Sequence, residues 1–428
     1  MKHIIYLFLL SIGLVVHGHH LPGHHNDQET DENPAEHQHL HLDEEQDNKT
    51  AKCHKIAPSN ADFAFTLYRQ IASDGAGKNV FFSPVSISTA FAMLSLGAKS
   101  ETQSQIHKGL AFNLSEMEEK ELHEGFQHLI HMLNRPKNKA EINIGNALFI
   151  EESLKVLPKF LEDAKTLYES EGFSSNFRNT TIAKKQINDY VVNKTHGKIP
   201  QAVDQLDPST VMVLLNYIFF KGFWEHPFNT QSITEEDFFV NADTTVKVNM
   251  MFQSSHYKYL HDDDLFCSVV EIPYKGGASA FFILPDEGKM QQVEDSLVKG
   301  HLYKWAKALE YKQLDLYIPK FSLSKSYDVK ALFQRLGVTH VFDGNADLSG
   351  IVEEGNLQVS KAIHKAVVDV HESGTEAAAV TVIQFVRMSF SSPPPTVFKC
   401  DKPFLFLICD KMTNSILFFG KVVNPTEK

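Results

Sequence analysis

Cysteine is scarce in this sequence of 428 residues: Cys53, Cys267, Cys400 and Cys409 are the only four. That is too few to build a fold from disulfides, and a chain this long does not need them. Cys267, Cys400 and Cys409 lie among apolar residues and read as buried thiols, whereas Cys53 sits on a polar arm and reads as exposed and reactive. Basic clusters are also missing. The net charge is −12 and no basic run exceeds a Lys-Lys pair, so nucleic acid is not an expected partner. Beyond the first residues no apolar run is long enough to span a membrane, and none is expected to. There is no G-x-S-x-G elbow. His123-Glu124 is followed by His128, with one residue too many between the imidazoles for a helical zinc-protease site. Asp74 to Lys78 lacks the first glycine of a phosphate loop and reads as a surface turn. Enzymatic activity is therefore not expected, and neither a cofactor nor a metal site is assigned.

What is present starts with a leader. Residues 1–18 carry one Lys, then the apolar Ile4 to Leu10, and small residues where a signal peptide is cut, so the product is expected to be secreted. Residues 19–55 are acidic and His-rich with few aliphatic side chains and read as a disordered arm. Its clustered imidazoles could chelate a divalent ion, but a solvated tail with no partner is the favoured reading and no site is assigned. From residue 56 to 428 no Gly/Ser- or Pro-rich linker interrupts the chain, which predicts one large domain. Helical spacing covers 61–72, the stretch after Pro84, 104–110, 115–133, 157–168 and 183–194. Strand-like runs fall at 142–150, 210–220, 246–251, 265–273, 279–284, 314–319, 367–370, 404–408 and 416–423, giving an α+β domain with large, mainly antiparallel sheets. Sequons at Asn48, Asn113, Asn179 and Asn193 predict a glycoprotein.

One stretch stands apart, HESGTEAAAVTVIQFVRMSFSSPPPTVF from His371 to Phe398. As a strand it puts Thr375, Ala377, Ala379, Thr381 and Ile383 on one face. A short helix capped by Thr375 is the other reading of GTEAAAV. Three successive prolines after Ser391 and Ser392 cannot continue a sheet ladder, so the end of the stretch reads as an exposed loop.

Eight separated blocks, among them FFSPVSISTAFAMLSLGAKSET, LLNYIFFKGFWEHPF, VSKAIHKAVVDVHESGTEAAA and FFGKVVNPTEK, give the chain its resemblance. From Lys55 to the end it resembles the serpins, and within them the plasma subgroup of α1-antitrypsin and α1-antichymotrypsin. The resemblance implies a fold of three β-sheets, eight to nine helices and an exposed reactive-centre loop, about 372–398. It implies a monomer that offers a bait bond to a secreted serine protease, is cut to the acyl-enzyme stage, and inserts its loop into the largest sheet.

The resemblance also assigns residues. Seventeen residues counted from Glu372 end on Met388, placing the bait bond at Met388-Ser389, which suits elastase- or chymotrypsin-like proteases. Cleavage one residue earlier, after Arg387, would suit a trypsin-like enzyme. Glu372, Gly374, Thr375, Ala377 and Ala379 form the hinge, in which Gly374 is conformationally permissive and Thr375, Ala377 and Ala379 are small enough to slide into a packed face. Ser83, Ser86, Asn216 and His364 match a polar cluster beneath the insertion gap, Trp224 the tryptophan at its top, and Lys320 the ion-pair partner of Glu372. A second function stays open: carriage of a small apolar ligand such as a hormone, a bile pigment like biliverdin or an alkaloid, because some serpins of this subgroup have become binding proteins.

Overall fold

The computed structural model describes residues 34–75, 77–135, 140–353, 357–375 and 394–427, with the backbone alone for 34–51 and 140. The chain divides into two compact units, Met1–Glu45 and Gln46–Lys428. Of the first, the description covers the backbone of residues 34–45, which is helical.

Among the described residues there are nine α-helices: α1 (Pro34–Ala72), α2 (Pro84–Ser95), α3 (Ser100–Gly109), α4 (Glu119–Asn134), α5 (Pro158–Tyr168), α6 (Thr180–Lys194), α7 (Met290–Ser296), α8 (Lys299–Ala308) and α9 (Val329–Arg335). The first corrects the sequence reading, which places residues 34–55 in a disordered arm and begins a helix only at 61; residues 19–33 of that arm lie outside the described residues. Helix runs from Pro34, because 35–55 is rich in Glu, Gln, Lys and Leu, all good helix formers, and needs only a docked segment to extend. Docking is provided where α1 meets α4. A Cβ on Gly125 would lie 2.7 Å from the Ile56 side chain and 3.2 Å from the Lys52 carbonyl, so the two helices approach closely there. Cys53, one turn before Ile56, is therefore 1% exposed, not reactive, and burial pushes its thiol up to about 11. Cys267 and Cys400 are buried and Cys409 is half-buried, as free thiols.

The smaller sheet has six strands in the order β10 (Phe321–Asp328), β11 (Lys361–His371), β12 (Gly374–Thr375), β4 (Met212–Phe223), β2 (Ala140–Glu151) and β3 (Glu171–Ser175). The larger network runs β1 (Val80–Phe82), β15 (Ser415–Val422), β14 (Phe404–Asp410), β8 (Ala278–Pro285), β7 (Cys267–Pro273), β6 (Thr245–Asp262), β9 (Glu310–Pro319), β13 (Thr396–Lys399), with β5 (Thr234–Phe239) on β6. Strand β6 belongs to two sheets at once. Its residues 245–259 pair with β5 and β9, and 258–262 with β7. Counted that way the three expected sheets are present. Strand β10 and the far half of β6 escaped the sequence reading because Ser, Lys and His interrupt their apolar alternation.

Helix α2 sits at the centre. All twelve of its residues are buried, its N-cap Ser83 accepts the Ser86 backbone N–H, and Pro84 holds its first position in helical φ. The main core is made of aromatic and branched residues from α1, α2, β1, β14 and β15, with Phe81 stacked between Phe406 and Phe418.

Candidate functional site

Strands β4 and β11 lie side by side in the six-stranded sheet, but only their lower ends touch. They pair in parallel from Val213/Lys361 to Tyr217/Lys365. Above that, Ile218 to Lys221 on β4 and Ala366 to Asp369 on β11 pair with no described residue between them. Each keeps its outer neighbour, β2 and β10 respectively. At the top, β12 enters the space. Gly374 and Thr375 pair antiparallel with His371 and Val370 on one side and with Phe223 and Gly222 on the other. Beneath Thr375 lies a cavity of about 20 Å³ bordered by Ile218, Phe219, Phe220 and Val367. Backbone donors and acceptors facing such a space favour one more strand.

The hinge is held tightly where it is described. Gly374 has φ +139°, and a Cβ there would come within 2.1 Å of the Gly222 carbonyl oxygen, so only glycine fits. Thr375 is 2% exposed and its Oγ1 is 2.9 Å from the Tyr274 hydroxyl. Tyr274 stacks on Trp224 with ring centroids 4.2 Å apart. The Trp224 indole N–H donates to the His371 carbonyl and its backbone N–H to the Ser373 carbonyl, both at 2.9 Å. Phe228 donates to the Glu372 carbonyl. Lys320 Nζ meets Glu372 Oε2 at 2.7 Å. Burial would raise the Glu372 carboxyl, but the Lys320 ammonium prevails and holds it below the usual range.

The polar cluster forms lower down, where the strands are still joined. His364 on β11 stands opposite Asn216 on β4, which stands opposite Asn146 on β2. Ser83 donates its backbone N–H to His364 Nε2 at 3.0 Å, so the ring proton sits on Nδ1 and is donated to Asn216 Oδ1 at 2.8 Å. Ser86 donates its hydroxyl to the same oxygen at 2.7 Å. The Asn216 amide donates to the Ser86 carbonyl and to Asn146 Oδ1. Burial pushes the His364 imidazole down to about 3, so it is neutral at physiological pH.

Of the residues singled out in the sequence, Ser83, Ser86, Asn216 and His364 share one network, and Trp224, Lys320, Glu372, Gly374 and Thr375 meet at the hinge. Ala377, Ala379, Arg387, Met388 and Ser389 lie outside the described residues. Asn146 and Tyr274 were missed. An Asn inside the apolar run INIGNALFI, which holds Asn143 and Asn146, is a polar group in need of a partner if buried, and that signal could have found Asn146. Nothing in the sequence pointed to Tyr274. Asn113, Asn179 and Asn193 are exposed, and Asn48 lies on α1 outside the side-chain description. Among the described residues no helix is long and apolar enough to cross a membrane, and no three His, Cys, Asp or Glu side chains are grouped to hold a metal.

Comparison with known proteins agrees with this geometry. A family model described as serpin (serine protease inhibitor) matches residues 58–425. The chain is 52% identical to α1-antitrypsin of Sus scrofa over 378 residues, covering 88% of this chain and 89% of that protein. It is 50% identical to α1-antiproteinase of Callosciurus caniceps over 400 residues, 94% and 93% of the two. Among solved structures, human thyroxine-binding globulin matches with a TM-score of 0.84 at 45% identity, over 88% of this chain and all of that one. Human glycosylated kallistatin matches at 0.83 and 47%, over 89% of this chain and all of that one.

Proposed function

The chain belongs to the serpin family, and from that premise we propose that it is a secreted inhibitor of a serine protease whose bait bond is Met388-Ser389. The observation that carries the reading is the parting of β4 from β11 over four residues, with Gly374 and Thr375 already threaded between their upper ends. In the reaction the protease serine oxygen attacks the Met388 carbonyl carbon. The Met388-Ser389 amide breaks, Ser389 leaves as a free amine carrying the proton, and an ester joins Met388 to the enzyme. Residues from Glu376 onward then continue the strand begun by β12, and the small side chains of Ala377 and Ala379 enter beside it without overpacking. New ladder bonds on both sides drive the uptake and carry the enzyme away before water reaches the ester. Ser83, Ser86, Asn216 and His364 let β4 and β11 exchange one hydrogen-bonded arrangement for another.

The test is incubation with pancreatic elastase, chymotrypsin and trypsin. A complex that survives SDS with the first two supports Met388, and one with trypsin alone moves the bait to Arg387. Cleavage with no complex sinks inhibition. In that case the second reading gains, carriage of a small apolar ligand, whose support is the likeness to a thyroxine-binding globulin solved with thyroxine.

A further inference from the structure

A second group of buried imidazoles lies away from the hinge, on the layer of helices α3, α4 and α5. His107 of α3 is 3% exposed and His123 of α4 is 6% exposed. Among the described residues neither Nε2 has a hydrogen-bond partner. His123 Nδ1 is already engaged, 2.5 Å from the hydroxyl of Tyr168 at the end of α5. The charges that act on the pair are few. Glu119 of α4 acts on both rings and has an oxygen 3.6 Å from His123 Nε2. That same oxygen accepts a hydrogen bond from the Gln103 side chain of α3. Asp163 of α5 acts on His123 more weakly and is tied to Lys159 at 2.6 Å. Helix α2, packed against all three helices, contributes no titratable side chain. Two rings that would each take a proton thus share one nearby carboxylate that is already in use.

We propose that His107 and His123 make the α3–α4–α5 layer an acid-labile cover, closed while both rings are neutral and loosened when they are charged. The cost of charging follows from burial, which holds both imidazoles below their ordinary range, His123 at about 4. A group depressed in the folded state lends stability that is whole above its free value near 6.5 and is lost as pH falls below it. Each ring, once hydrated, regains its free value near 6.5 and is charged about ten to one at pH 5.5, so an opening that wets both gains at most about a hundredfold. Helix α4 packs on β2 and α5 on β3, so the layer that loosens lies on β2, the neighbour of β4, and on β3 at the sheet's edge. The proposal stands whether or not the chain inhibits a protease.

Hydrogen–deuterium exchange of the intact protein, without protease, at pH 7.4 and 5.5 and corrected for intrinsic exchange, tests it. Amides of residues 100–168 should lose protection by up to about a hundredfold at pH 5.5 while residues 404–422 keep theirs. His107→Leu with His123→Gln, which cannot be charged, should remove most of that loss. Unchanged protection in the unmutated protein overturns the proposal, and so does a loss that begins at 404–422. A loss that the double variant shares overturns it too and assigns the effect to the other buried imidazoles, His128 of α4 and His364. Should the double variant not fold, the order in which the two segments open in the unmutated protein decides alone.

Discussion

The two sheet systems of this molecule are made from similar residues and hold their central strands in opposite ways. In the larger network β14 and β15 pair antiparallel along nearly their whole length. Both are apolar on both faces, Phe404 to Ile408 and Ile416 to Phe419 being buried among stacked aromatic rings. Its one buried charge pair, Lys421 with Glu294 at 2.7 Å, is reinforced by the Tyr68 hydroxyl donating to the same Glu294 oxygen. In the smaller sheet the central neighbours are parallel, joined over five residues, and pinned by amides, hydroxyls and one imidazole. Interdigitated rings have one close-packed arrangement, and sliding them opens cavities. Hydrogen bonds between short polar groups can be exchanged for others of like strength. One sheet is therefore a fixed frame and the other is able to admit a strand.

Substitutions should separate frame from gap. The largest effect is expected from Thr375→Arg, which puts a guanidinium at the buried hinge position against Tyr274. A buried charge without a partner costs about 3–5 kcal/mol, enough to cut productive insertion by about 10² to 10⁴. The variant should be cleaved at the bait by the target protease, yield almost no SDS-stable complex, and melt close to the parent, since the docked hinge is small. Glu294→Val should do the reverse. It leaves Lys421, 2% exposed at its side chain, without its carboxylate, and about 3–5 kcal/mol of stability should go, lowering the melting temperature by about 5–10 °C. Surviving folded molecules should still form complex with the parent's stoichiometry. A Glu294→Val protein that behaves as a substrate would break the division between the two sheets.

Asn216→Ala sharpens the comparison at the point where β4 and β11 are still joined. It strips His364 of its acceptor and leaves the Ser86 hydroxyl only the Tyr217 carbonyl at 3.3 Å, so the unmet imidazole N–H costs about 1–3 kcal/mol. Stability should fall less than with Glu294→Val, and the molecule should convert more quickly to an inserted, uncleaved form on mild heating. The imidazole adds a pH signature. Its folded value is depressed to about 3 by burial, so the stability it lends is complete above about 6.5 and declines as pH drops towards 3. Urea midpoints measured from pH 7.5 to 4 should show this decline in the parent and in a variant that lacks His107 and His123.

How much of this was legible in the sequence depended on whether a residue's role is local. Ser83-Pro84 announces the start of α2, Gly374 a position that needs a missing Cβ, and the apolar runs at 404–408 and 416–423 strands buried on both faces. Resemblance to the serpins then brought Asn216 together with His364, 148 residues apart in sequence, beneath the gap and put Trp224 at its top. Tyr274 follows an ordinary strand ending in Ile-Pro, and only the tertiary fold brings its hydroxyl to Thr375 across a sequence separation of 101 residues. Cys53 went wrong for a related reason. A polar, acidic neighbourhood in sequence said exposed, while docking of α1 against α4 put that face of the helix inside.

The smallest expected effect, Lys320→Ala, is informative because its site adjoins both systems. Lys320 lies between Pro319, the last residue of β9, and Phe321, the first of β10, and its ammonium reaches the hinge turn at Glu372. Were frame and gap mechanically one body, cutting this tie would cost as much as cutting Glu294 from Lys421. But both side chains are reached by solvent, and pairs of that kind contribute no more than about 1 kcal/mol. The melting temperature should therefore drop by only about 1–2 °C at pH 7.4. The Glu372 carboxyl is depressed in the folded state, so this contribution is present above the ordinary carboxylate range and lost as pH falls through the folded value. The difference between parent and variant should accordingly shrink as pH is lowered below the ordinary carboxylate range. A drop at neutral pH as large as that of Glu294→Val would mean that the hinge turn holds the frame together, and the two sheets could no longer be treated as separate parts.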